Sequence, residues 1–296
     1  MTVELVANYT SATQDPREFA AAAEAAGFDG VGCSDHLFRT SAYPHLWVAA
    51  SAMAQATSRV FVTSAFSNNL FRSPVEFAQA SLTMQWLSGG RFEAGLGAGW
   101  LEPEIRAIGH DYPPPAVRAR RFLEAVQIVR QLFDARACTF AGEHYTIDMP
   151  TIGPNVGSPP PLVASLGGPW TIDHVAPLVD RVELKFGGST RGGDLDMAVL
   201  ATCTRDDLVR MIDRVRCAAP DVSVGMFAMI AVGDEAETAA MRDSLGDGLY
   251  AGFVGDRDRV LDNLLALEEL GISRVQVAER LKGSFVRLGS VADRAG

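Results

Sequence analysis

The chain is poor in the residues that would mark several protein classes. Four cysteines occur in 296 residues, at Cys33, Cys138, Cys203 and Cys217, and none forms a CxxC pair. Such scatter excludes a disulfide scaffold and a structural zinc site. Basic charge is scarce: 26 Lys and Arg against 36 Asp and Glu give a net charge of −10. That sign disfavours nonspecific binding of nucleic acid or of an anionic membrane. No apolar run reaches the roughly 18 residues of a membrane span. The chain does not open on a basic segment followed by an apolar stretch, so no signal peptide is expected and the expected location is the cytoplasm. HExxH, GxSxG and P-loop patterns are missing, as are internal repeats and low-complexity linkers. The five histidines (His36, His45, His110, His144, His174) lack metal-ligand spacing, and no metal is expected.

What is present is an alternation of strands and helices. Apolar or alternating runs predict strands at Val3–Tyr9, Asp29–Cys33, Arg59–Ala65, Arg91–Leu96, Leu162–Ser165, Arg181–Phe186, Val222–Val232 and Arg274–Ala278. Helices are expected between them. Asp15-Pro16 and Ser73-Pro74 pair a good N-cap with proline in the first turn. Tyr43–Ala56, Ala116–Phe133 and Asp256–Leu270 read as further helices, and Thr139–Asp148 as a small hairpin. Eight strands interleaved with helices fit an α/β (β/α)8 TIM barrel with a small insertion around residues 137–160. One domain over residues 1–296 is expected. A doubly wound open sheet is the alternative, and no G-x-G-x-x-G follows the first strand to support it.

In such a barrel the strand C-termini carry the chemistry. Ser34-Asp35-His36 ends the second strand, and Gly95-Leu-Gly97-Ala-Gly99-Trp100 the fourth. Gly167-Gly168 ends the fifth, and Lys185 lies at the end of the sixth. Alternate glycines let a flat or anionic group approach the backbone, although a tightly packed barrel strand needs them too. His36 is the natural proton donor or acceptor near neutral pH; its bland alternative is a histidine that holds a loop. Arg72 reads equally as an anion partner or a solvated arginine. Lys185 reads equally as a binding cation or a surface lysine. Trp100 reads as a pocket wall or as core.

The segments GFDGVGCSDHLF (27–38), NNLFRSP (68–74), LSGGRFEAGLGAGW (87–100), Glu104 followed by Gly109, RARRFLEAV (118–126), FAGEHY (140–145) and the glycine pair at 167–168 run in one order and spacing. Together they resemble the luciferase-like monooxygenase superfamily, in particular its branch of F420-dependent (deazaflavin) oxidoreductases. The resemblance is good over roughly residues 15–170, resumes over 255–277 and is thin between 171 and 250.

The resemblance implies a barrel that holds a flavin or deazaflavin in its mouth, with coenzyme F420 expected and FMN the alternative. Asp35 and His36 then face the ring as catalytic residues. The peptide Ala65–Phe66 is expected to be cis and to support the ring, with Asn68 beside it. Gly97 and Gly99 lie close to the cofactor, and Gly167, Gly168 and Lys185 on its phosphate side. Sugar-phosphate dehydrogenases of this family carry a catalytic glutamate where this chain has Trp100. That activity is therefore not expected, and reduction of a C=C or C=N bond in a small molecule is preferred. Glu104 matches a shared helix position with a structural role. An FMN-dependent monooxygenase and a non-catalytic flavin-binding barrel are the rival readings, and a homodimer is expected.

Overall fold

In the computed structural model, residues 3–38, 42–190, 193 and 195–289 are described; the outermost residues of the expected domain, 1–2 and 290–296, lie outside them. In chain order the strands are β1 (Glu4–Tyr9), β2 (Gly30–Cys33), β3 (Phe61–Ser64), β4 (Ser67–Asn68), β5 (Phe92–Gly97), β6 (Cys138–Ala141), β7 (Thr146–Met149), β8 (Leu162–Leu166), β9 (Arg181–Leu184), β10 (Ser223–Val232), β11 (Val254–Gly255) and β12 (Arg274–Glu279). The helices are α1 (Pro16–Ala25), α2 (Leu46–Ala56), α3 (Pro74–Leu87), α4 (Glu102–Ala107), α5 (Pro115–Ala135), α6 (Pro169–Val175), α7 (Met197–Thr202), α8 (Arg205–Ala218), α9 (Glu235–Asp243), α10 (Arg257–Glu269) and α11 (Ser284–Leu288).

The eight expected strands form a closed parallel barrel, with β12 hydrogen-bonded both to β10 and back to β1. Their outward faces (Leu5 and Ala7, Val31 and Cys33, Val224 and Met226, Val275 and Val277) pack under the helices as one buried apolar cluster. That burial is the dominant favourable term of the fold. The β6–β7 hairpin is the insertion, an antiparallel pair lying outside the barrel sheet.

The capping signals act as expected. Asp15 accepts from the Arg17 amide and Ser73 from the Val75 amide. One boundary differs: α2 begins at Leu46, not at Tyr43. Pro44 disfavours helical backbone at the residue before it, so the helix starts beyond the proline. The region of thin resemblance holds three helices that local pattern left open. Its α8 and α9 are each opened by a capping box, Thr204 with Asp207 and Asp234 with Glu237.

Candidate active site

The barrel mouth is built around two adjacent residues with different partners. Asp35 is buried, and its carboxylate accepts from the Asn68 amide at 2.8 Å, from Ser67 Oγ at 3.4 Å and from the Arg72 guanidinium. Arg72 also reaches Glu76 one helical turn on. The arginine read from sequence as an anion partner or a solvated side chain is thus the counter-ion of Asp35. These bonds tie the end of β2 to β4, immediately after the Ala65–Phe66 peptide, which is cis. Asn68 is buried too, its Oδ1 accepting from the Leu70 amide at 2.9 Å.

His36 turns the other way. Its Nδ1 lies 2.9 Å from Oε1 of Glu104, whose Oε2 accepts from the Leu37 amide at 3.0 Å. Glu104 is completely buried on α4, while the imidazole is 17% exposed. With the glutamate as acceptor in this bond, Nδ1 is the donor and Nε2 keeps its lone pair. Tyr43 and Trp100 pack edge-on against the ring, with centroids 5.6 and 5.4 Å away. A positioned base with an oriented second nitrogen is the arrangement general acid–base catalysis needs.

At the end of β5 the glycines are packed by their neighbours. A Cβ on Gly97 would sit 3.3 Å from Phe66 Cβ. Gly99 has φ of 80° and a Cβ there would run into Asn68 Oδ1 and, at 2.9 Å, Leu70 Cγ. Both glycines therefore serve close packing against the 66–70 segment. Gly167 and Gly168 lead into α6, where the Gly168 amide donates to Thr171 Oγ1 at 3.3 Å and Pro169 has no amide hydrogen to offer. Beside them a cleft of about 410 Å³ opens between α6 and α8, lined by Gly167, Gly188, Arg210 and Arg214 among others.

Beneath the mouth the barrel interior is charged. Arg274 of β12 pairs with Glu93 of β5 and Glu4 of β1, and Arg181 of β9 adds a second contact to Glu4. One step up β9 lies Glu183, 3% exposed, with its Oε1 lacking a partner among the described residues. Burial pushes its carboxyl up to about 7. One step further, Lys185 extends over the faces of Phe66 and Phe227, its Nζ 4.7 and 5.2 Å from their centroids. Burial lowers its ammonium below the usual lysine range.

Asp35, His36, Ala65, Phe66, Asn68, Gly97, Gly99 and Trp100 therefore gather at one end of the barrel, with Lys185 entering from β9 and Gly167-Gly168 opening toward the cleft. Local reading missed the bond from Glu104 to His36, which joins residues 68 apart. The only signal was that Glu104 occupies a shared helix position. It also missed Glu183, an acidic residue inside the strand expected at Arg181–Phe186.

A (β/α)8 barrel with a histidine–carboxylate pair at its mouth defines a class of ligand-binding barrel enzymes. Comparison with known proteins narrows it. Residues 4–187 match the family model "luciferase-like monooxygenase", and the chain belongs to that family. It is 32% identical over 201 residues to an F420-dependent glucose-6-phosphate dehydrogenase of Kineococcus radiotolerans, covering 64% of this chain and 57% of that one. An enzyme of the same name from Amycolatopsis mediterranei is 32% identical over 161 residues, 53% of this chain and 48% of its own. The chain thus spans about half the length of these curated relatives. Among solved structures, an F420-dependent secondary alcohol dehydrogenase superposes with a TM-score of 0.76 at 19% identity over 97% of both chains. A monooxygenase from Streptomyces bottropensis superposes with 0.75 at 17% identity, over 96% and 95%. At those identities the structural likeness establishes the fold.

Proposed function

We propose that the protein is an F420-dependent oxidoreductase that moves a hydride between the deazaflavin and a small organic substrate. The observation that carries the reading is the His36–Glu104 pair, held at 2.9 Å where β2 ends. The curated relatives, named as F420-dependent enzymes, support the choice of cofactor.

The residues present fit such a group. Gly97 and Gly99 let the backbone pack closely on the 66–70 segment that would support the ring, and a Cβ at Gly168 would meet nothing nearer than Thr171 Oγ1 at 3.6 Å. Ala65, Phe66 and Asn68 would support the ring, and Gly167, Gly168 and the cleft toward Arg210 and Arg214 would take its phosphate side. When bound, the cofactor supplies a carbon that accepts or gives hydride. The protein does the rest. Asp35 holds the bulge through Asn68, Ser67 and Arg72. Glu104 fixes the imidazole, and His36 gives a proton to, or takes one from, a substrate heteroatom. Trp100 walls the substrate pocket. No carboxylate stands at position 100, Glu102 is engaged with Arg106 at 2.6 Å, and Glu104 is engaged with His36. This favours reduction of a C=C or C=N bond. We take a cytoplasmic homodimer as the working form.

Titration with F420 and with FMN, followed by fluorescence quenching, tests the reading. F420 should bind at least about tenfold tighter, a difference of about 1.4 kcal/mol. Equal or reversed affinities would replace it with an FMN-dependent monooxygenase.

A further inference from the structure

The charges inside the barrel do not all find partners. The two arginines are consumed by Glu4 and Glu93. What remains is Glu183 of β9 and Lys185, two residues further on and just past the end of the strand. They form no ion pair within 4 Å among those of the described residues. The Glu183 Oε1 atom is buried and unpartnered, and Lys185 lies on two aromatic faces instead of a carboxylate. Phe66, one of those faces, belongs to the cis peptide that begins the bulge. Phe227 pairs in register with Gln276, whose side chain donates to Asn8 on the adjacent strand β1. The ammonium therefore lies against Phe66 and Phe227 and does not line the cleft beside Gly167, the phosphate side on which the resemblance had put it.

We propose that Glu183 and Lys185 form a charge-compensating pair under the redox ring: Lys185 offers positive charge to the reduced, anionic form of the cofactor, and Glu183 takes up a proton as that form binds. This rests on the F420 reading above. Hydride transfer adds one negative charge to a deazaflavin. In a low-dielectric floor that charge and the Glu183 carboxylate compete for the same ammonium. The carboxylate yields by protonating, Glu183-COO⁻ taking one proton from solvent, so the net charge of the site is conserved. The groups facing Glu183 are Arg181 on its own strand, Lys185 just past its end, Arg274 from β12 and Glu93 from β5. Both arginines are already paired, which leaves Lys185 as the free opposing charge. A carboxyl poised near 7 and a lowered lysine are what such a pair requires.

The experiment is calorimetric titration of the protein with oxidised and with reduced F420, anaerobically near neutral pH, in two buffers of different ionisation heat. Wild-type protein should take up about half a proton more with the reduced form than with the oxidised one. Glu183→Gln should take up no extra proton. Lys185→Met should lose about tenfold or more in affinity for the reduced form relative to the oxidised form. Oxidised-form affinity serves as the folding control, and if Lys185→Met does not fold, Glu183→Gln decides. The chain holds two lysines, Lys185 and Lys282. After reductive ¹³C-methylation, NMR reads both in the free protein, and Lys185 should titrate below Lys282. Unchanged proton uptake in Glu183→Gln, an unchanged affinity ratio in Lys185→Met, or two lysines that titrate alike would overturn the pair and leave the F420 reading standing. Failure of wild-type protein to bind either form would overturn both.

Discussion

Replacing Glu104 by glutamine tests the catalytic geometry with almost no change in shape. The carboxylate now accepts two hydrogen bonds, from His36 Nδ1 at 2.9 Å and from the Leu37 amide at 3.0 Å. An amide has one acceptor oxygen and one donor group, so it satisfies only one of them. If the oxygen stays with Leu37, the amide nitrogen faces His36 and donates. The imidazole must then accept at Nδ1 and carry its proton on Nε2, and the lone pair on Nε2 is gone. The charge-assisted bond forfeited is worth about 1.5–3 kcal/mol, or about 10- to 150-fold in rate. Turnover in Glu104→Gln should fall by that factor, with F420 affinity held within about threefold because α4 keeps its packing. Steady-state kinetics and quenching titrations on the same preparation read both. The double variant with His36→Ala should be no slower than His36→Ala alone, since the two act as a unit. A Glu104→Gln enzyme with wild-type turnover, or one that loses rate and cofactor affinity together, would refute the reasoning.

His36→Ala itself should slow turnover by roughly 10²–10⁴-fold while cofactor binding stays near wild type; a small effect on a true substrate would make the histidine a loop support. Gly168→Val should weaken intact F420 by about tenfold or more, yet barely affect a ring fragment lacking the phosphate, as the added side chain obstructs the approach of the anion to its donors. The only neighbour of its first added carbon is Thr171 Oγ1 at 3.6 Å, so equal losses for both ligands would place the phosphate elsewhere. Glu183 holds its proton to about 7 when folded, against 4.5 for the free group. Its contribution to stability is thus full below about 4.5 and lost as pH rises through about 7. Urea denaturation should show Glu183→Gln matching wild type at about pH 4 and exceeding it by up to about 3 kcal/mol at about pH 9; a constant difference across that range would remove the carboxyl as its cause.

The barrel was legible because its signals are local. Strand periodicity, the Asp15-Pro16 and Ser73-Pro74 caps, and glycines at strand ends each act within a few residues. Asp35-His36 was legible for the same reason, being adjacent to a strand end. Glu104 was not, because its meaning depends on α4 folding back onto β2, and no spacing in the sequence encodes that approach. Arg72 stayed ambiguous until Asp35 was seen opposite it. In β9 and the residue after it, Arg181, Glu183 and Lys185 alternate with Val182 and Leu184, a pattern that in a soluble sheet puts charge toward water. A closed barrel reverses the sense: the apolar residues face the helices and the charges turn inward.

That inward charge also bears on how the chain reaches its final form. Glu4 and Arg274 meet across 270 positions, and β12 is the strand that supplies the edge β1 lacks. While the polypeptide is being synthesised, everything up to β10 can assemble only as an open, curved sheet. Its first edge then has no neighbour, and Glu4 and Glu93 lack their chief cation. A ribosome must finish the 274–279 segment before those acids are neutralised and the two ends of the sheet can meet. A chain interrupted before that point would present a bare strand edge of the kind that pairs with other chains. The same arginine that stitches the finished barrel thus marks where, during synthesis, a vulnerable sheet becomes a closed one.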